Sequence, residues 1–156
     1  MILVTGATGF VGSALVRRLV VDSSFNGVVV AVRRKTESLP QGAQQVPVVD
    51  LLPTTDWSTA LQGIGTVVHC AARVHVMRDD AADPLQAYRE VNVSGTLRLA
   101  RQAAHAGVRR FVFVSSIKVN GEATHPGHSF TADDVPVPLD PYGVSKLEAE
   151  EGLREI

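Results

Sequence analysis

Short apolar runs alternate with amphipathic stretches along the whole chain. Ile2 to Val4 is an apolar run ending in Thr5-Gly6 and predicts a buried strand. Phe10, Val11, Ala14, Leu15, Leu19 and Val20 recur at helical spacing, which predicts a helix over 10–21. Ser23, Ser24, Asn26 and Gly27 then break the chain. Val28 to Val32 predicts a second strand, and Val46 to Val49, ending at Asp50, a third. A short helix is expected over Trp57 to Leu61, and a fourth strand over Thr66 to Cys70. Leu85 to Ala106 predicts a long helix closed by Gly107. Phe111 to Val114 predicts a fifth strand running into Ser115-Ser116. Asn120 to Leu139, with Pro126, Pro136 and Pro138, predicts a loop, and Pro141 opens a last helix.

None of the five runs shows the apolar–polar alternation of a strand with one wet face. Unalternating strands separated by helices predict a sheet covered on both sides. The expected fold is therefore α/β: a doubly wound parallel sheet in strand order 3-2-1-4-5. No repeat, linker or low-complexity tract divides the chain, so residues 1–156 are expected to form one domain.

The first strand-to-helix turn reads Thr5-Gly6-Ala7-Thr8-Gly9-Phe10-Val11-Gly12. Gly6 suits a tight turn, Gly9 a close approach of pyrophosphate to backbone, and Gly12 close packing of the helix. The helix N-terminus adds free N–H groups and a positive dipole end. Lying between a strand and a helix, these glycines predict a Rossmann dinucleotide site. An NAD site usually has an acid about 20 residues on, to bond the ribose 2′-hydroxyl. Here Arg33 and Arg34 stand at the end of the second strand instead. Their guanidinium forks suit a 2′-phosphate, so the cofactor is NAD or NADP with NADP(H) favoured.

Composition narrows the remaining classes. A net charge of -1 offers no bulk field for nucleic acid or an anionic membrane. The single cysteine, Cys70, excludes an intrachain disulfide and fits a reducing, cytoplasmic setting. No signal peptide or membrane-length apolar run is visible. His75, His105, His125 and His128 show no ligand spacing, and no metal is expected.

Six ordered motifs then resemble the extended short-chain dehydrogenases/reductases of the nucleotide-sugar epimerase type. The glycine loop is similar to T-G-x-x-G-x-[IV]-G, and Asp50-Leu51 to the pair said to meet adenine in that family. His69-Cys70-Ala71-Ala72 resembles its H-x-A-[AG] turn, and Val91-Asn92 its helical Asn. Ser115-Ser116-Ile117-Lys118-Val119-Asn120-Gly121 is similar to S-S-x-x-V-Y-G, and Pro141-Tyr142-Gly143-Val144-Ser145-Lys146 to P-Y-x-x-S-K. The resemblance implies cofactor contacts at Gly6, Thr8, Gly9, Phe10, Val11, Gly12, Arg33, Arg34, Asp50, Leu51, Cys70, Ala71, Ala72, Asn92, Tyr142 and Lys146. It implies catalysis by Ser116, Tyr142 and Lys146 on a UDP-sugar, and a homodimer through the long and final helices.

Tyr142 and Lys146 are four apart and share one helix face. An ammonium beside a phenol favours the phenolate, and each unit of depression needs about 1.4 kcal/mol. Tyr142 is therefore expected as acid/base, Lys146 as its activator and ribose ligand, and Ser116 as the group orienting the reacting oxygen. The activity expected is epimerase or 4-ketoreductase. The dehydratase is disfavoured because Ile117 and Lys118 stand where acids are usual. The alternative is a non-catalytic NADP(H)-binding sensor or docking module. Lys118 and Asn120 also depart from the family pattern and are expected to face the substrate. The chain ends ten residues after Lys146, at Ile156. The resemblance therefore implies a truncated cofactor half whose C-terminal substrate lobe is absent.

Overall fold

The computed structural model describes residues 1–74 and 83–156. Five strands form one parallel sheet: β1 (Ile2–Thr5), β2 (Val28–Val32), β3 (Ala43–Pro47), β4 (Thr66–His69) and β5 (Arg110–Phe113). Their spatial order is β3-β2-β1-β4-β5, as the alternation of elements predicts. The helices are α1 (Phe10–Val20), α2 (Pro84–Tyr88), α3 (Thr96–His105) and α4 (Pro141–Leu153).

The central strand explains the unalternating pattern. Leu3 packs on one side with Val29, Val67, Trp57, Leu99 and Ala103. Val4, the next residue, packs on the other side with Val16, Leu19 and Val30. Successive strand side chains point to opposite faces, so a sheet buried on both sides needs apolar residues at every position. The edge strands relax this rule: β3 and β5 are only half-buried.

Three boundaries differ from expectation. β3 begins three residues early and includes Gln44 and Gln45, because register with β2 pairs Val28 with Ala43 and Val32 with Pro47. Edge position tolerates the glutamines, and Gln45 bonds both the N–H and the carbonyl of Thr36. Trp57 to Leu61 is a set of turns rather than a helix; its N-terminus is held by Gln102, which accepts from Trp57 N at 2.8 Å. The predicted long helix is interrupted by a π-helical segment, Arg89–Gly95, between α2 and α3. Gly95 in that segment lies so close to Leu51 that a Cβ would sit 2.6 Å from its carbonyl oxygen.

Candidate functional site

The carboxyl ends of β1, β2, β4 and β5 open into a cleft of about 980 Å³. Open parallel sheets bind ligands at this edge, where the strand order reverses around the first strand. Gly6 makes the turn off β1 with φ 66°. A Cβ there would also lie 2.6 Å from Ala71 N, so the turn after β4 rests directly on this loop. Gly12 lets α1 pack closely on the chain leaving β1: a Cβ there would lie 2.2 Å from the Gly6 carbonyl oxygen.

The loop fits a dinucleotide. A Cβ on Gly9 would meet only Gly6 O, at 3.3 Å. Gly9 caps α1 without any side-chain hydrogen bond, which leaves first-turn N–H groups for a phosphate. Thr8, Phe10, Val11, Arg33, Arg34, Asp50, Leu51, Cys70, Ala71, Ala72, Tyr142 and Lys146 line the same cleft. Arg33 and Arg34 are exposed at its rim. Ser115 lines it as well, as do Trp57, Thr36 and Arg73, which sequence reading missed. Nothing local marks Trp57; the turns after β3 carry it there.

Asn92 is placed elsewhere. It is buried in the π-helical segment, accepts from Arg73 N at 2.7 Å, and donates to Arg73 O and Ser145 Oγ at 3.0 Å. Both amide protons are spent on protein atoms, so it braces the chain after β4 against α4 instead of lining the cleft.

Tyr142 sits in the first turn of α4. Asp140 caps this helix by accepting from Gly143 N at 2.6 Å, and Pro141 starts it. The Ser116 hydroxyl neighbours the Tyr142 phenol and favours its phenolate. Ser116 begins a 3-10 turn, Ile117–Val119, and also accepts from Lys118 N at 3.3 Å. Of the two adjacent serines, Ser116 neighbours the phenol, while Ser115 Oγ is buried at the cleft without a hydrogen-bond partner among the described residues.

Lys146 departs from expectation. It is only 1% exposed, donates from Nζ to Val114 O at 2.8 Å, and places that nitrogen 3.8 Å from the Phe113 ring centroid. Burial lowers its pKa to about 8. Burial pushes the Tyr142 phenol up, and the neighbouring Ser116 hydroxyl moderates the rise. Lys118 is engaged by acidic side chains, Asp140 and Glu122, and Asn120 uses its amide nitrogen within the following loop, donating to Thr131 O.

His69 is fully buried at the end of β4. Its ring nitrogens bond Thr5 Oγ1 at 2.6 Å and Thr96 Oγ1 at 3.0 Å. Burial, with the Lys146 charge second, lowers its pKa to about 3. The unfolded chain takes up this proton near pH 6.5 and the folded chain refuses it. Stability is therefore full above about pH 6.5 and falls as the pH drops toward about 3. Urea midpoints compared at about pH 7 and 5 should show His69→Gln losing less stability on acidification than the wild type. Equal losses would contradict a buried neutral imidazole.

Residues 2–156 match the model of the NAD dependent epimerase/dehydratase family. The chain belongs to this family. UDP-glucose 4-epimerase of Vibrio cholerae is 48% identical over 97% of this chain and 45% of its own length. Among solved structures, MoeE5 in complex with UDP-glucose and NAD is 38% identical with a TM-score of 0.78, covering 97% of this chain and 47% of that one. UDP-glucuronic acid 4-epimerase from Bacillus cereus in complex with NAD is 30% identical with a TM-score of 0.78, covering 99% and 51%. The chain thus spans about half the length of these family members. Among the described residues no helix is long and apolar enough to cross a membrane, and no cluster of three metal-ligating side chains forms. His75 lies outside the described residues.

Proposed function

We propose that this chain is the cofactor-binding portion of a nucleotide-sugar 4-epimerase, with a substrate lobe supplied by further sequence. The observation carrying this reading is the cleft itself, which brings Tyr142 and Lys146 to the same opening as the glycine loop, with Ser116 beside the phenol. The identity to a UDP-glucose 4-epimerase and the family's half-length match support it. The resident cofactor in this proposal is NAD. The solved relatives above carry NAD, and the NADP(H) preference expected from Arg33 and Arg34 finds no support among them.

In this scheme the uncapped start of α1 and the backbone of Gly6 and Gly9 hold the pyrophosphate. Asp50 and Leu51 flank the adenine end. Bound NAD supplies a hydride acceptor at the nicotinamide. Tyr142, as phenolate, would take the proton of the sugar C4 hydroxyl as C4 is oxidised to the ketone, and would hand it back when the ketone is reduced from the opposite face. Ser116 would hold the reacting oxygen and Lys146 would contribute positive charge. Burial holds the phenol above its ordinary value, and positive charge beside it would favour the phenolate. The protein is proposed to act in the cytoplasm as a homodimer.

The rival reading, a non-catalytic dinucleotide sensor, keeps the cleft and needs no proton transfer. The full-length protein with NAD and UDP-glucose separates the two: formation of the C4 epimer is expected, and its absence with intact cofactor binding would favour the sensor. Binding has its own probe, since Trp57 is the single tryptophan and lines the cleft. Titration with NAD should change its fluorescence at least as strongly as NADP. A response to NADP alone would restore the arginine reading.

A further inference from the structure

Lys118 stands next to the proposed catalytic serine and carries a charge that the expected reaction does not use. Its ammonium is not solvated like that of an ordinary surface lysine. It donates to Glu122 at 3.0 Å and to Asp140, and its side chain is 29% exposed. Asp140 divides its oxygens between two elements: one accepts from Lys118, the other caps α4 through Gly143 N. The same two elements also touch through their backbones, where a Cβ on Gly143 would lie 2.8 Å from Lys118 O.

We propose that Lys118 is a positioning residue whose ammonium, shared between Asp140 and Glu122, ties the turn bearing Ser116 to the first turn of the helix bearing Tyr142. Ser116 and Tyr142 lie on separate elements, 26 residues apart in sequence. The loop between them, 120–139, is largely exposed and buries few apolar side chains. A loop of that kind holds two side chains in register poorly, because little burial opposes its freedom. The ion pair at the base of both elements supplies the missing constraint. The inference rests on the reading of Tyr142 as acid/base.

Burial and the Ser116 hydroxyl act most on the phenol; within the pair, Asp140 opposes the phenolate and Lys118 favours it. The other groups facing Tyr142 are Tyr88 of α2, edge-on with ring centroids 6.2 Å apart, and Ser116. Arg73 packs over the Tyr88 ring, and Lys146 on the same helix turns toward Val114 O. Opposite signs at the two ends of one ion pair make the proposal separable from a purely structural role.

With only two tyrosines, the Cζ signal of labelled Tyr142 can be followed by NMR and assigned with Tyr88→Phe. Through the strongly alkaline range in which a raised phenol titrates, Lys118→Met should move the Tyr142 titration up. Asp140→Asn keeps a good helix cap and should move it down; Lys118→Arg should leave it near wild type. In the full-length enzyme Lys118→Met should lower kcat by about tenfold with a far smaller change in KM, and Lys118→Arg should recover most of it. An unmoved titration in Lys118→Met, or shifts of the same sign in both variants, overturns the proposal. If Lys118→Met fails to fold, the sign in Asp140→Asn decides alone. Loss of the epimerase reading through an active Tyr142→Phe would leave this titration test intact.

Discussion

Tyr142→Phe is expected to reduce C4 epimerisation by the full-length protein by a factor of roughly 100 to 10,000, the span of a positioned acid/base. The substitution removes one oxygen and little else. The ring keeps its edge-on packing against Tyr88, 6.2 Å between centroids. Asp140 still caps α4 through Gly143, so the helix keeps its start. Ser116 keeps its bond from Lys118 N. Folding stability should therefore change by only about 0.5 kcal/mol, as for a partly exposed hydroxyl. The Trp57 fluorescence response to NAD should persist within about twofold, because the pyrophosphate is held by the loop after β1 and not by the phenol. Turnover within about tenfold of wild type would remove Tyr142 from the reaction and leave the sensor reading standing.

Gly12→Ala should cause the largest loss of stability, and it reverses an ordinary expectation. Replacing a helical glycine by alanine usually stabilises by about 0.5–1 kcal/mol, since the unfolded chain loses freedom. Gly12 has no positive φ that would forbid alanine. The obstacle is contact: the new Cβ would lie 2.2 Å from Gly6 O, 2.8 Å from Gly6 C and 3.0 Å from Ala7 Cα. These are backbone atoms and cannot rotate away. The loop or the helix must shift, at a cost of about 3 kcal/mol, the upper range for forced overpacking. For a domain of this size that lowers Tm by about 9 °C, and the displaced loop should no longer bind NAD. Gly9→Ala is the control. Its Cβ meets only Gly6 O at 3.3 Å, so Tm should fall little while NAD binding is lost to the methyl group in the phosphate path. A Tm unchanged in Gly12→Ala, or lowered equally in both variants, would contradict this division of labour.

The readable parts of this protein are those whose physics is local. Ile2 to Val4 and Val28 to Val32 are apolar at every position and became the buried centre of the sheet. The glycine triplet and the Tyr142–Lys146 spacing each lie within one turn of chain, so their placement needed no distant contact. Errors appeared where a partner far away in sequence decides. β3 took its register from β2 and shifted onto Gln44 and Gln45. Gln102, 45 residues away, holds Trp57 N in a turn where local periodicity suggested a helix. The π-helical segment turns Asn92 toward Arg73 and Ser145, away from the cleft that its motif suggested.

The same division holds for charge. The parallel sheet in its order, the glycine loop, and a tyrosine and lysine on one helix face are all legible in the amino-acid pattern. Each follows from steric and periodic rules acting over a few residues. What the charged groups do depends on packing between distant parts of the chain. It buried Lys146 against Val114 O and Phe113, brought Asp140 to Lys118 across 22 residues, and sealed His69 between Thr5 and Thr96. A side chain's protonation and direction depend on burial and on neighbours brought in from elsewhere in the chain. A pattern along the chain can name the titratable groups of this site, but their electrostatic roles come from the packing around them.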